Sequence, residues 1–291
     1  MKTILSKIQQ ITYEKGEYSH AQLRTWDETL ELIHQFPWHD QRNGLNVGFT
    51  CPSITMEENQ DIYLKIGLYF SGKFVVYFLY QGKVYEKPIA NLEDFTPYLQ
   101  HFFDQNWEAL QKVGDKMSFV FNPYTSFRTH PFRYSVHWRG MVRLSRMPGI
   151  FTLVIFLLFS IPISLLYPPS IHLYNLVSWT LLNLGNFVLL ANYYRADLRK
   201  VLILSKGQDT FWFGTDEQLV TYSKKDILYI KAYQNTEYRS LWHSYSIYEI
   251  GFSNGDVLYF STLLLSESDV QNKFEGWDIE IVSRYFPRYA G

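Results

Sequence analysis

The middle of the chain holds its longest apolar stretch. Between Arg146 and Arg195 there are 48 consecutive residues without Asp, Glu, Lys or Arg, divided by two adjacent prolines. Its two halves, 149–167 and 171–194, are each long enough for a helix that crosses a hydrocarbon core of ~30 Å. The pattern predicts a two-helix transmembrane hairpin at 147–194. The alternative is a pair of buried helices in a soluble core, which a domain of this size rarely holds in succession.

Two amides interrupt the apolar character of the second predicted helix. Asn183 and Asn186 are three residues apart and therefore share a helix face. An amide without a partner in hydrocarbon costs several kcal/mol, so we expect this face to meet the partner helix or another subunit. The prediction is a helix-helix contact, and a transport pathway is the alternative.

The first 125 residues predict an α+β domain. Ile4, Leu5 and Ile8 fall at helical spacing and favour a short amphipathic helix. Thr25 and Glu28 have the spacing of a capping box, in which each side chain binds a backbone N–H of the other. Alternating apolar residues and tight-turn signals then indicate a meander of strands before a second helix. The strands are predicted at 45–50, 62–70, 73–80 and 84–88, and the helix from Asn91.

Short strands separated by turn residues dominate after Lys200. A pair such as Asn254-Gly255 between apolar runs is a strong hairpin signal. A final stretch, 266–285, predicts a closing helix, so 195–291 is interpreted as a small β-barrel or sandwich. The strands are predicted at 201–205, 210–213, 218–222, 227–232, 246–252 and 257–261.

Charge is distributed unevenly along the chain. Residues 116–196 carry seven basic and no acidic side chains, whereas the flanking parts are net acidic. The basic residues lie on both sides of the apolar stretch, and the loop between its halves contains no Lys or Arg. By the positive-inside rule both termini are expected in the cytoplasm, with the chain a multi-pass protein of the inner membrane.

A basic and aromatic segment, 126–146, precedes the predicted hairpin. Next to a membrane, contact with anionic lipid head groups is favoured over binding of nucleic acid. The predicted head-group contacts are Arg128, Arg133, Arg139, Arg143, Arg146, Arg195, Arg199 and Lys200.

Candidate chemistry is scarce. Cys51 is the single cysteine, so neither an intramolecular disulfide nor a cysteine-based zinc site is expected. The sequence contains no nucleophile elbow, phosphate loop, dinucleotide fingerprint or zinc signature. His34 and His39 are spaced poorly for a shared metal ion. We therefore expect no enzymatic activity, no cofactor and no metal.

The hairpin together with the segments 222–233, 250–262 and 263–274 resembles bacterial pleckstrin-homology-like (PH-like) membrane proteins, in which a two-helix hairpin precedes a β-barrel. The resemblance spans about 147–291. It implies a membrane protein of α+β class with a C-terminal PH-like domain, and it supplies architecture more than function.

The segment TWDETLELIHQFPW, ahead of a strand meander and an aromatic-rich helix, is similar to small bacterial toxin-immunity domains over about 20–115. The resemblance implies a membrane-anchored, non-enzymatic binding protein that neutralises a toxin through protein contact. The alternative is a regulatory or scaffolding protein that docks or oligomerises through its PH-like domain. A small transporter or channel subunit is disfavoured because the predicted helices carry no charge. The expected partners are membrane lipids, an unidentified protein and further copies of the chain, without nucleic acid.

Overall fold

The computed structural model describes residues 2–42, 52–117, 122–145, 169–237 and 242–289, with positions 154, 158 and 240. The chain divides into two compact units. The first unit comprises Met1–Pro131 and Ser205–Gln208, and the second comprises Phe132–Leu204 and Asp209–Gly291.

The first unit is a single antiparallel sheet with helices on one face. Its strands are β1 (Ile4–Gln9), β2 (Ser19–Arg24), β3 (Ser53–Asn59), β4 (Ile62–Leu68), β5 (Phe74–Tyr80), β6 (Lys83–Ile89) and β7 (Asp115–Lys116), in the order β2-β1-β3-β4-β5-β6-β7. Its helices are α1 (Trp26–Gln35), α2 (Thr96–Phe103) and α3 (Trp107–Val113).

The two faces of this sheet differ because successive strand residues point to opposite sides. Leu64 and Ile66 of β4 belong to an apolar core with Leu99 and Phe102 of α2. Lys65, between them, is fully buried on the other face, where its Nζ donates to Gln9 Oε1 at 3.0 Å and to the Ser126 carbonyl at 3.2 Å. The second face thus holds a polar layer of buried side chains beside a smaller apolar cluster, which includes Val75, Leu79 and Phe127.

Lys7 of β1 lies in the same polar layer. Its Nζ is 2.8 Å from Glu57 Oε2 and 4.6 Å from the ring centre of Tyr18. Burial lowers the pKa of Lys7, and the hydrogen bond and charge of Glu57 partly offset this effect.

Several sequence predictions for the first unit are confirmed. The Thr25–Glu28 capping box opens α1, with both reciprocal bonds formed. The strands predicted at 62–70, 73–80 and 84–88 are β4, β5 and β6. The strand predicted at 45–50 falls outside the described residues.

Two helix predictions for the first unit are wrong. The segment that holds Ile4 and Ile8 is strand β1, since a spacing of four also places two residues on one face of a strand. The helix predicted from Asn91 is two helices, α2 and α3, separated where Gln105 adopts φ +57°.

The second unit is a sandwich of two four-stranded sheets. Its strands are β8 (Arg133–Ser135), β9 (Lys200–Ile203), β10 (Thr210–Thr215), β11 (Leu219–Ser223), β12 (Ile227–Gln234), β13 (Ser246–Phe252), β14 (Val257–Ser261) and β15 (Ile279–Ser283). Its helices are α4 (Trp138–Ser145), α5 (Pro169–Asp197) and α6 (Glu267–Lys273). The sheet orders are β11-β10-β9-β8 and β14-β13-β12-β15.

Aromatic side chains from both sheets meet in the core of the sandwich. The ring centres of Phe211 in β10 and Phe252 in β13 are 6.1 Å apart, and those of Phe213 in β10 and Phe260 in β14 are 6.4 Å apart. Phe274, just after α6, contacts Phe211 and closes this core.

All six strands predicted after Lys200 are confirmed, as β9 to β14. The closing helix is wrong beyond Lys273. Gly276 has φ +96°, which a continuing helix does not allow, and the chain then forms β15, which pairs in parallel with β12.

The structure contradicts the membrane prediction. The first predicted span, 149–167, falls outside the described residues except for positions 154 and 158, and the second span forms most of α5. None of the helices in the described part of the chain combines the length and apolar character that crossing a bilayer requires. In α5, polar side chains such as Ser178, Thr180, Asn183 and Asn186 dilute the apolar content. The fold class with a transmembrane hairpin and the multi-pass inner-membrane localisation are therefore wrong.

Candidate functional site

Helix α5 packs through one of its faces on the rest of the second unit. Leu189 and Tyr193 are fully buried in a cluster with Tyr245, Ile247 and Leu263. Asn186, also buried, accepts a hydrogen bond from the Tyr245 hydroxyl. Amide and aromatic side chains thus fix the inner face of the helix.

The outer face of α5 is apolar and exposed. Its side chains expose between 47 and 66% of their surface and recur at intervals of three or four residues. We call this set the α5 stripe: Leu173, Val177, Leu181, Leu184 and Val188.

A cleft lies on the side of the β14-β13-β12-β15 sheet that faces away from the sandwich core. Its cavity volume is about 460 Å³. Residues of β12, β13 and β14, the first residue of β9 and the chain after β15 form its walls. We call it the tyrosine cleft, and its lining residues are Lys200, Tyr233, Ile247, Glu249, Tyr259, Arg284, Arg288 and Tyr289.

Glu249 lines the cleft as an organised carboxylate. Tyr229 donates to its Oε1 at 2.8 Å, and Tyr233 donates to its Oε2 at 2.7 Å. Burial disfavours the charged form, but the phenol hydrogen bonds and the charge of Lys231 outweigh it, so the pKa of Glu249 is lowered. Hydrogen bonding to Glu249 is the main cause that raises the pKa of Tyr233 to about 12.

Gly251 allows Tyr229 to reach this carboxylate. A Cβ at Gly251 would lie 2.3 Å from the Tyr229 ring, which crosses the strand at that point. The ring therefore requires a residue without a side chain beside it.

A second carboxylate, Asp197, is fully buried at the end of α5. Its Oδ1 accepts from Lys200 Nζ and from the Tyr289 hydroxyl, both at 2.9 Å. Its Oδ2 accepts from the Ser261 amide at 3.0 Å and from the Ser261 hydroxyl at 2.6 Å. Because Lys200 also donates to the Tyr259 carbonyl at 2.7 Å, the pair satisfies backbone groups of the edge strand β14.

Cations of the chain cover two of the aromatic faces in the tyrosine cleft. The Arg284 guanidinium lies 3.9 Å from the ring centre of Tyr233, and Lys200 Nζ lies 4.8 Å from that of Tyr289. Arg284 and Arg288 are exposed. The site thus combines satisfied carboxylates with exposed guanidinium groups.

The buried tyrosines of the second unit lead to a pH prediction. Burial raises the pKa of Tyr193, Tyr245, Tyr248 and Tyr289. A raised pKa in the folded state contributes stability that is complete below pH 10 and is lost as pH rises towards the folded value. We expect the free energy of unfolding to fall above pH 10, by up to about 1.4 kcal/mol per pH unit for each such tyrosine.

Urea unfolding between pH 7 and pH 11.5 measures this dependence. Tyr248→Phe is expected to make the decline shallower, whereas Tyr285→Phe, at an exposed tyrosine, leaves it unchanged. A stability that stays constant above pH 10 contradicts the prediction.

The residues predicted to contact lipid head groups occupy different places. Arg128 is in the first unit, where it donates to the Gln60 carbonyl at 2.6 Å. In the second unit Arg133 pairs with Asp216, and Arg143 donates to the Thr262 carbonyl at 2.7 Å. The guanidinium of Arg139 lies 5.8 Å from the ring centre of Trp138, and Arg195 and Arg199 are exposed. Lys200 lines the tyrosine cleft. Arg146 falls outside the described residues. Their contact with lipid stays a prediction.

The two predicted helix-contact amides are both buried. Asn183 donates to the Trp179 carbonyl within α5 at 3.0 Å, and Asn186 contacts Tyr245 ahead of β13. The hydrogen-bond partner of Asn186 is therefore Tyr245, a loop residue of the second unit, and not a residue of another helix.

Sequence reasoning missed Asp197, Glu249, Arg284 and Arg288. The alternation Tyr229-Lys231-Tyr233 was the one signal of a polar outer face on β12. Within the described ranges, His, Cys, Asp and Glu side chains form no group of three or more suited to a metal ion.

Comparison with known proteins identifies the family. No curated protein and no solved structure matches the chain. The family model described as a PH domain matches residues 118–273, which is more than half of the chain. The chain therefore belongs to the PH domain family.

Proposed function

We propose that the chain is a non-enzymatic scaffolding protein that self-associates through its second unit. PH domains commonly bind lipids or proteins, which agrees with a binding role. The observation that carries the proposal is the exposed α5 stripe.

The α5 stripe has the properties of a contact surface. From Leu173 to Val188 it follows the helix for about 22 Å at 1.5 Å per residue. Covering a Leu or Val side chain contributes about 1.5–3 kcal/mol relative to full exposure. Contiguous apolar surface of this kind marks interaction sites more often than free surface.

A second copy of the chain suits this surface. The stripe contains no charged side chain, so two copies meet without electrostatic repulsion or desolvation of charge. A two-fold axis brings identical patches together, and an apolar stripe is complementary to itself.

Sedimentation equilibrium of the full chain tests the proposal. Leu181→Glu combined with Leu184→Glu is expected to raise the dissociation constant of the dimer about 100-fold or more, because two charges enter an apolar contact. Leu228→Glu is the matched control, since Leu228 exposes 69% of its surface on β12, outside the stripe. A monomeric wild-type chain, or a dimer that the double variant leaves intact, contradicts self-association.

Neutralisation of a toxin stays a prediction from the resemblance of the first unit. The α5 stripe, on which the proposed self-association rests, lies in the second unit. Binding of a toxin by the first unit is therefore a separate hypothesis.

A further inference from the structure

We infer that the tyrosine cleft binds a single carboxylate group of a ligand, through Arg284 and Arg288. This site is separate from the α5 stripe, so the inference goes beyond self-association and does not depend on it.

The cleft is unsuited to a cationic ligand although it is rich in tyrosine. An aromatic cage binds a cation through open ring faces. Here the guanidinium of Arg284 lies over Tyr233, and Lys200 lies over Tyr289. The hydroxyls of Tyr233 and Tyr289 donate to Glu249 and Asp197. Two of the three tyrosine rings that line the cleft, together with their hydroxyls, are therefore already engaged.

Exposed guanidinium groups provide hydrogen-bond donors for an anion. Arg284 and Arg288 are four residues apart after β15 and both line the cleft. A guanidinium presents paired N–H groups that match the two oxygens of a carboxylate.

The charge balance favours one negative charge on the ligand. Lys200 and Asp197 form an ion pair at 2.9 Å and neutralise each other. Glu249 contributes one negative charge, and the two arginines contribute two positive charges. Lys231, which lies opposite Glu249 on the neighbouring strand β12, is paired with Glu280 at 3.8 Å. The remaining single positive charge matches a carboxylate, whereas a phosphate dianion would meet stronger repulsion from Glu249.

The tyrosine cleft is large enough to hold more of a ligand than its carboxylate group. About 460 Å³ lies within the range of small-molecule sites, and Ile247 and Tyr259 offer apolar wall. A free organic acid and an acidic side chain of a peptide share the recognised group, and the test separates these two sources.

Isothermal titration of the full chain tests the inference with four probes. They are a blocked glycine-glutamate peptide, its glycine-glutamine counterpart, sodium acetate and inorganic phosphate. We expect the glutamate peptide to bind and the glutamine peptide to fail. Binding of acetate as strong as that of the peptide assigns the site to small acids and still supports carboxylate recognition. Tighter binding of phosphate than of either carboxylate overturns the inference, and so does the absence of binding at millimolar concentration.

Variants locate the binding. Arg288→Gln and Arg284→Gln are each expected to weaken carboxylate binding about tenfold or more. Arg199→Gln, at an exposed arginine outside the cleft lining, is the matched control and leaves binding unchanged. Glu249→Gln retains the shape of the cleft lining but removes its negative charge. This variant is therefore expected to bind phosphate more tightly, relative to carboxylate, than the wild type does. Undiminished binding in both arginine variants overturns the inference, and unchanged unfolding midpoints show that each variant is folded.

Discussion

Replacement of Asp197 by alanine is expected to lower the free energy of unfolding by about 3–5 kcal/mol. Asp197 is fully buried, and it accepts four hydrogen bonds from three residues: Lys200, Ser261 and Tyr289. Alanine leaves all these donors without their acceptor and removes the negative partner of Lys200. Each buried donor left unsatisfied costs about 1–3 kcal/mol. Asp197→Asn retains the shape and one acceptor oxygen, so we expect a smaller loss.

Urea unfolding combined with amide hydrogen exchange measures this effect. The Ser261 amide donates to Asp197, so its exchange is expected to accelerate in Asp197→Ala. Asp216→Ala is the matched control, because Asp216 is also paired with a cation but is exposed and should contribute less than about 1 kcal/mol. A stability change in Asp197→Ala as small as that of the control would show that the buried carboxylate does not hold β14 to α5.

Replacement of Lys65 by alanine is expected to destabilise the first unit by about 3–5 kcal/mol. The side chain is fully buried, so its removal leaves a cavity between Tyr18 and Phe127, whose ring centres lie 5.9 and 5.8 Å from Nζ. It also removes the donor to Gln9 and to the Ser126 carbonyl.

Lys65→Met separates the volume of this side chain from its hydrogen bonds. Methionine fills most of the space but donates no hydrogen bond, so we expect a loss of about 1–3 kcal/mol, smaller than for alanine. Lys83→Ala, at an exposed lysine of β6, is the control and should stay within about 0.5 kcal/mol of the wild type. Unfolding free energies that are equal for the alanine and methionine variants would indicate that the hydrogen bonds of Lys65, and not its volume, determine the effect.

Elements determined by neighbouring residues could be predicted from the sequence. The strands β9 to β14 are short runs rich in apolar residues with turn residues between them, such as Asn254 and Gly255. The capping box of Thr25 and Glu28 involves two residues three apart. Such signals depend only on residues close in sequence, so they can be recognised without knowledge of the tertiary structure.

Predictions failed where one local pattern fits two structures. The spacing of Ile4 and Ile8 suits a helix face and a strand face alike, and pairing of β1 with β2 and β3 selects the strand. The uncharged segment that includes most of α5 suits a membrane span by length. Its inner face is instead occupied by Tyr193 packing on Tyr245 and by the hydrogen bond of Asn186.

The sequence by itself determined the β-rich second unit, the capped helix α1 and the uncharged stretch that forms most of α5, because turn chemistry, capping and charge are local properties. Only the tertiary structure decided the tyrosine cleft and the α5 stripe. Glu249 and Arg284 come from distant parts of the chain, and pairing of β12 with β13 and β15 brings them together. Lys200 of β9 belongs to the other sheet, and it reaches the cleft by donating to Asp197 and to the Tyr259 carbonyl. Which face of α5 is covered depends on the sandwich beneath it, since apolar side chains occur on both faces of that helix, such as Leu189 on the buried face and Leu181 on the exposed one.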